Sequence, residues 1–263
     1  MSENRKFSVL MSVYVKENPV FLEEAVESII HQTLKPSEVV IVEDGPLTPE
    51  LYQVLEKLEA QSSIPIKRCP LEQNRGLGLA LQYGVLQCQY DVIARMDTDD
   101  IAVEDRFEQQ FELMEKENLD LLGGHIAEFI DQPDEIVSYR RVPTKHEDII
   151  VYQRMRSAFN HMTVMFKKDM VLKAGNYEDG LYMEDDLLWL NMISAGARTG
   201  NVDQILCKVR VGAGMFERRG GLRYLKLYRQ ARKRMHERGQ ISYGEYLKSV
   251  LIQVVVALCP GFV

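Results

Sequence analysis

The chain has 263 residues, 46% hydrophobic and 27% charged, a composition that suits a globular protein with one sizeable α/β domain and an appendage, or two small domains. A formal net charge of −7 argues against general nucleic-acid binding. The acidity sits in the first two hundred residues, because between Lys208 and Arg238 basic residues far outnumber the two acids, Glu217 and Glu237. Cys69, Cys88, Cys207 and Cys259 form no paired motif, which suits a reducing compartment and gives no support for zinc. The opening MSENRKFSVL lacks the basic start and apolar stretch of a signal peptide. No apolar run approaches the ~20 residues that cross a bilayer. A cytoplasmic protein is expected.

In chain order, residues 7–15 (FSVLMSVYV) are rich in β-branched and aromatic residues and predict a buried strand. Asn18-Pro19 has the form of an N-cap with proline at the first helical position, and Phe21, Leu22, Ala25, Val26, Ile29 and Ile30 follow with helical spacing. A second strand, 38–45 (EVVIVEDG), runs into acid and glycine. Thr48-Pro49 opens a helix with Leu51, Val54, Leu55 and Leu58 on one face. A short strand over 64–68, a helix over 76–88 and a strand over 90–97 complete an alternation that predicts a parallel, doubly wound sheet.

Beyond residue 100 the pattern loosens. A helix is expected over 103–117, then the apolar stretch LDLLGGHIAEFI, then SYRRVP and a helix near 144–155. A strand over 158–166 and a helix over 184–196 follow. A long basic helix covers 221–239 and an amphipathic-to-apolar one 243–258. With no repeat or linker, the expectation is a domain over 1–215 and a C-terminal helical extension over 216–263.

Ligands of open parallel sheets bind outside the carboxyl ends of the strands. Three such ends carry polar or acidic residues: Tyr14 with Glu17, Glu43-Asp44-Gly45, and Asp97-Thr98-Asp99-Asp100, with Arg75 just before the third helix. Carboxylates are the hard donors that Mg²⁺ or Mn²⁺ prefers, and such ions are commonly shared with phosphates. The competing reading makes one Asp a cap for the following helix and the others solvated turn residues. A second group is Glu184-Asp185-Asp186, followed by Trp189. It reads either as a helix start, where acids suit the dipole, or as a general base beside a stacking platform for a sugar. His161 precedes a predicted strand, and a lone His is more often structural. Gly76-Leu77-Gly78 is too short to count as a phosphate loop on its own.

In this order the motifs SVLMSVYVKE, VVIVEDG, NRGLGLALQYG, IARMDTDDIAVEDRF, NHMTVMF and MEDDLLW resemble family 2 glycosyltransferases of the GT-A fold. The resemblance runs from about Phe7 to Arg219 and is nearest to bacterial members that build exopolysaccharide, capsule or lipid-linked oligosaccharide. It implies an α/β, Rossmann-like, mostly parallel sheet flanked by helices. It implies that Ser12, Tyr14 and Glu17 line the nucleotide pocket, that Asp44 reads the uracil edge and that Arg75 lies by base and phosphates. Asp97 is placed near ribose and metal, Asp99 is the direct ligand of Mn²⁺ or Mg²⁺, and Asp185 is the general base. Glu184, with Trp189 and His161, falls on the acceptor side. The chain departs from the common pattern at Leu187, where another Asp is usual, and Asp186 fills the variable position, so no role is carried to either; Glu43 in place of a frequent Asp is a mild change. It has no Gln-x-x-Arg-Trp element of processive synthases, which favours addition of one sugar.

The implied reaction is a single inverting displacement on a nucleotide-sugar donor, UDP-linked by resemblance, by a hydroxyl of a glycan or lipid-linked oligosaccharide. Arg218 and Arg219, in GMFERRGG, read either as a closing clamp on the diphosphate or as a solvated basic turn. The basic and apolar C-terminal helices read as peripheral contact with the inner face of the plasma membrane, or as packing on the body or a second copy. Two rivals stand beside this reading. A Mg²⁺-dependent phosphatase would place its nucleophilic Asp after the first strand, whereas here the acids follow the fourth. An inactive scaffold subunit would not need Asp99 and Asp185. The donor sugar is not legible.

Overall fold

The computed structural model describes residues 5–179, 183–212 and 221–258. Arg218, Arg219 and the expected 215/216 boundary lie outside the described residues.

The first half follows the alternation read from the sequence: β1 (Ser8–Val13), α1 (Pro19–Ile30), β2 (Glu38–Glu43), α2 (Pro49–Gln61), β3 (Ile66–Pro70), α3 (Leu77–Gln87) and β4 (Val92–Arg95). The caps are those expected. The Val20 N–H donates to the Asn18 side chain (2.9 Å) and the Leu51 N–H to the Thr48 hydroxyl (3.3 Å), each with Pro at the helix start. β1 is apolar on both faces because both are covered. Val9, Met11 and Val13 join the core under α1 and α2, whereas Leu10 joins Val40, Val42 and Ile93 under α3.

The second half comprises β5 (Ile101–Ala102), α4 (Arg106–Glu117), β6 (Leu121–Phe129), β7 (Ile136–Arg140), α5 (His146–Gln153), β8 (Met165–Lys167), α6 (Lys168–Lys173), α7 (Glu184–Ser194) and β9 (Thr199–Arg210). Strand order is β3-β2-β1-β4-β8-β6-β9-β5, with β7 beside β6. The long ladders β1–β2, β2–β3 and β6–β9 are parallel, and the antiparallel pairings of β4–β8, β6–β8 and β5–β9 are short. Two expectations are corrected. Residues 158–166 are mostly not strand: a 3₁₀ turn at His161–Thr163 precedes the three-residue β8. β9, twelve residues long, had no counterpart in the sequence reading.

C-terminal helices α8 (Gly221–Glu237) and α9 (Tyr243–Leu258) pack on each other, and α8 packs on α7. Ala231, Met235 and Ile241 share a buried cluster with Met183, Leu187 and Leu190. Arg232, also buried, donates to the Ser249 hydroxyl (3.1 Å) and to the Arg154 carbonyl. Leu247, Leu251, Ile252 and Val255 remain exposed along α9. None of the described helices is long and apolar enough to cross a membrane.

Candidate active site

The chain leaves β1 toward β2 on one side and returns to β4 on the other, so the sheet's switch point lies between β1 and β4. A crevice beyond their carboxyl ends is where such sheets bind ligands. Ser12 and Tyr14 stand at the first of these ends, half-buried. The Thr98 hydroxyl donates to the Ser12 carbonyl (3.5 Å), which ties the acidic loop after β4 to β1. The Glu17 N–H donates to the Tyr14 carbonyl (3.0 Å) and closes the turn between them.

Asp44 is buried after β2, and its carboxylate accepts the N–H groups of Arg75 (2.7 Å) and Gly76 (3.0 Å). It therefore anchors the loop that leads into α3 and holds the exposed Arg75 at the sheet edge. Gly45 must be glycine there: its φ is +85°, and a Cβ would meet the Asn74 nitrogen at 2.6 Å. Glu43 is the ion-pair partner of Arg68 (2.6 Å).

Asp97, Asp99 and Asp100 can each offer one oxygen with all three within 4.8 Å of one another. Asp97 pairs with Arg95. Asp100 is buried and accepts the Arg210 N–H (2.9 Å). Burial, then the charges of Asp99 and Asp97, hold the Asp100 carboxyl well above the usual carboxylate range. None of the three caps α4, which begins at Arg106 after Asp105. The capping alternative is thereby set aside. Arg106 instead secures the strand exit from beneath, donating to the Arg95 carbonyl (2.7 Å) and to Gln110 Oε1 (3.0 Å). Three carboxylate donors, with excess negative charge between them, fit a hard divalent cation such as Mg²⁺ or Mn²⁺.

Across the crevice, α7 starts at Glu184, so Glu184, Asp185 and Asp186 occupy the positive end of its dipole. Gly78 brings this helix to the mouth of α3. A Cβ on Gly78 would meet the Glu178 carbonyl at 2.6 Å and the Glu184 Cβ at 3.0 Å. That close packing accounts for the second glycine of Gly76-Leu77-Gly78. Burial, Asp186 and Glu184 push the Asp185 carboxyl up to about 8, with Arg140 pulling the other way. Burial likewise raises Glu184, which Arg95 opposes. Asp186 points inward and accepts the Gln153 amide (2.7 Å), whose oxygen accepts the Ala158 N–H (2.8 Å).

One acceptor-side expectation changes here. Trp189 is fully buried, packed against Phe159, His161 and Tyr177 at ring separations of 5.6, 5.8 and 6.3 Å. It exposes no face for a sugar. His161 shares a hydrogen bond with the Tyr177 hydroxyl (2.9 Å), and burial with nearby Arg95 holds its pKa well below the ordinary histidine value. The sequence reading passed over Arg95 and Tyr177, which act electrostatically on members of both acid groups. Arg95 carried one signal, a charge in an otherwise apolar strand.

The sequence model for glycosyl transferase family 2 matches residues 8–172. The chain is 43% identical over 221 residues to the amylovoran biosynthesis glycosyltransferase AmsE of Erwinia amylovora, covering 84% of this chain and 82% of that one. It is 36% identical over 256 residues to the UDP-Gal:alpha-D-GlcNAc-diphosphoundecaprenol beta-1,3-galactosyltransferase of Escherichia coli, covering 97% and 92%. Among solved structures, TarS residues 1–349 of S. aureus superposes with a TM-score of 0.66 at 16% identity, over 97% of this chain and 73% of that one. Mannosyltransferase PcManGT of Pyrobaculum calidifontis, in complex with GDP-Man and Mn²⁺, gives 0.66 at 14% identity, over 98% and 76%. These structural matches bear on the fold, which is GT-A. With the family model spanning most of the chain and relatives above 30% identity along nearly its whole length, the protein belongs to glycosyl transferase family 2 and is a glycosyltransferase.

Proposed function

We propose that this enzyme transfers one sugar, with inversion and with a divalent cation, from a UDP-sugar to a hydroxyl of a glycan or polyprenyl-diphosphate-linked acceptor. The observation that carries the reading is the pairing of Asp97, Asp99 and Asp100 at the switch point with a second acidic group, Glu184 and Asp185, at the facing helix start. The E. coli relative, named for a UDP-Gal donor and a diphosphoundecaprenol-linked acceptor, supports the choice of substrates. TarS, solved with UDP-GlcNAc, and PcManGT, with GDP-Man and Mn²⁺, support the cofactor and donor class.

Ser12, Tyr14 and Glu17 flank the nucleotide, Asp44 holds the loop that closes its pocket, and Arg75 meets the phosphates. Asp99 and Asp97 hold Mn²⁺ or Mg²⁺, with Asp100 behind them. A cation there supplies positive charge for the departing diphosphate, where such help counts most. Asp185 takes the proton of the acceptor hydroxyl as its oxygen attacks the anomeric carbon from the opposite face. Glu184 orients that hydroxyl. One displacement needs no enzyme nucleophile, and the buried thiols of Cys69, Cys88 and Cys207 offer none. The division into a transferase body over 1–215 and a helical extension over 216–263, with α9 resting on an anionic membrane face, is part of the same proposal.

The test is transfer itself. Purified enzyme is given Mn²⁺, a panel of radiolabelled nucleotide sugars and a lipid-diphosphate glycan acceptor. One UDP-sugar should yield a labelled acceptor in the inverted configuration. Asp185→Asn should cut the rate about 10²–10⁴-fold, the usual worth of a general base. Release of free sugar alone, or retention of configuration, would reject the proposal.

A further inference from the structure

Arg95 is the last residue of β4 and only 1% exposed. Along this strand Ala94 and the following Met96 enter the core under α1 and α4, while Ile93 joins the core under α3 and α7. Alternation turns Arg95 to the second side, toward Tyr177, His161 and Glu184, on all of which it acts electrostatically. Nη2 is paired with Asp97 Oδ1. Nε and Nη1 are buried and have no hydrogen-bond partner. Unpaired donors on a buried cation are costly, and such cost persists where the surroundings over-determine the group. Here they do. Arg106 grips the Arg95 carbonyl (2.7 Å) from the opposite face of the sheet, so main chain and side chain are both held.

We propose that Arg95 is a positioning residue for the transfer: it fixes one oxygen of Asp97 so that the other is presented to the cation and donor. The inference rests on the metal-dependent reading above and adds a residue to it. The guanidinium is suited to the task because its planar fork constrains the direction of a carboxylate as well as its charge, which an ammonium does not. A purely electrostatic role would have the opposite signature. A cation beside a metal site repels the metal, so a role in charge alone would make its removal tighten Mn²⁺ binding.

The experiment is a titration of Mn²⁺ in the presence of UDP, with free Mn²⁺ followed by electron paramagnetic resonance, on wild type, R95K and R95M. Circular dichroism and Tm establish that each variant is folded. R95M should weaken Mn²⁺ binding at least tenfold, and R95K, which keeps the charge without the fork, at least threefold. In a D97N background R95M should change Mn²⁺ affinity less than twofold, because the arginine acts through that carboxylate. Unchanged or tighter binding in R95M overturns the inference, as does a full R95M effect that persists in D97N. Should R95M fail to fold, R95K decides by the threefold criterion. A wild type that binds no Mn²⁺ with UDP would instead refute the metal-dependent reading, and this inference with it.

Discussion

Asp185 sits in a conflict that its environment creates. A base must be ionised to take a proton, yet burial and two adjacent acids raise its carboxyl to about 8. Acceptor kcat/KM should therefore climb with pH and level off above about 8, since this ratio reports the free enzyme's groups. Asp186→Asn keeps an oxygen for the Gln153 amide (2.7 Å) and removes one of the opposing charges. Its rise should come at lower pH, and an unmoved profile would deny Asp186 any influence on the base. The same shift has a stability consequence. An unfolded Asp ionises near 3.9, about four units below the native value, so as pH rises through that window the unfolded chain loses a proton that the native state keeps. Stability falls across it. Asp185→Asn should raise Tm at pH 7–8 and give no gain below about pH 4. Of these residues, Asp97, Asp99, Glu184 and Asp185 were legible as acids at element ends. Arg95 and Tyr177 were not, because the groups that surround them, His161 and Glu184 among them, come from other elements of the fold. Trp189 was misplaced for the same reason: helical spacing shows that a ring lies on a helix and not which face is covered.

At the scale of elements, the site depends on how closely α7 approaches α3. Gly78→Ala would place a methyl 2.6 Å from the Glu178 carbonyl and 3.0 Å from the Glu184 Cβ, and the backbone oxygen cannot give way as a side chain could. Overpacking of this kind costs about 1–3 kcal/mol. The expected result is a lower Tm and a kcat reduced more than UDP affinity, since the strain falls on the base-bearing helix. Loss of UDP affinity with kcat intact would contradict it. The βα units before residue 100 were readable because each is local, with a capped helix after a strand covered on both faces. β9 was not. Its first four residues are buried, but Asp203 and Gln204 are exposed and the register with β6 shifts near His125, so neither a period-two pattern nor a continuous apolar run marks it. β8, three residues long, is defined only by its antiparallel partners β4 and β6.

For the molecule as a whole, the basic C-terminal segment has two faces. α8 is anchored to the body through Arg232 and through the ion pairs of Arg234 (3.3 Å) and Arg238 (2.5 Å) with Glu178. Leu247, Leu251, Ile252 and Val255 face outward on α9. The sequence reading posed packing and membrane contact as alternatives, and the structure has the first while leaving an apolar row that suits the second. Leu251→Glu with Val255→Glu should abolish co-sedimentation with phosphatidylglycerol vesicles and preserve transfer to a water-soluble acceptor. Equal co-sedimentation would place any membrane contact elsewhere. The claim on which all of this depends is that donor binding runs through the strand-end carboxylates and a divalent cation. Calorimetric titration of UDP into wild type and Asp99→Asn, each with Mn²⁺ and with EDTA, measures it directly. Binding is expected only for wild type with Mn²⁺. Equal UDP affinity in EDTA, or in Asp99→Asn, would contradict it.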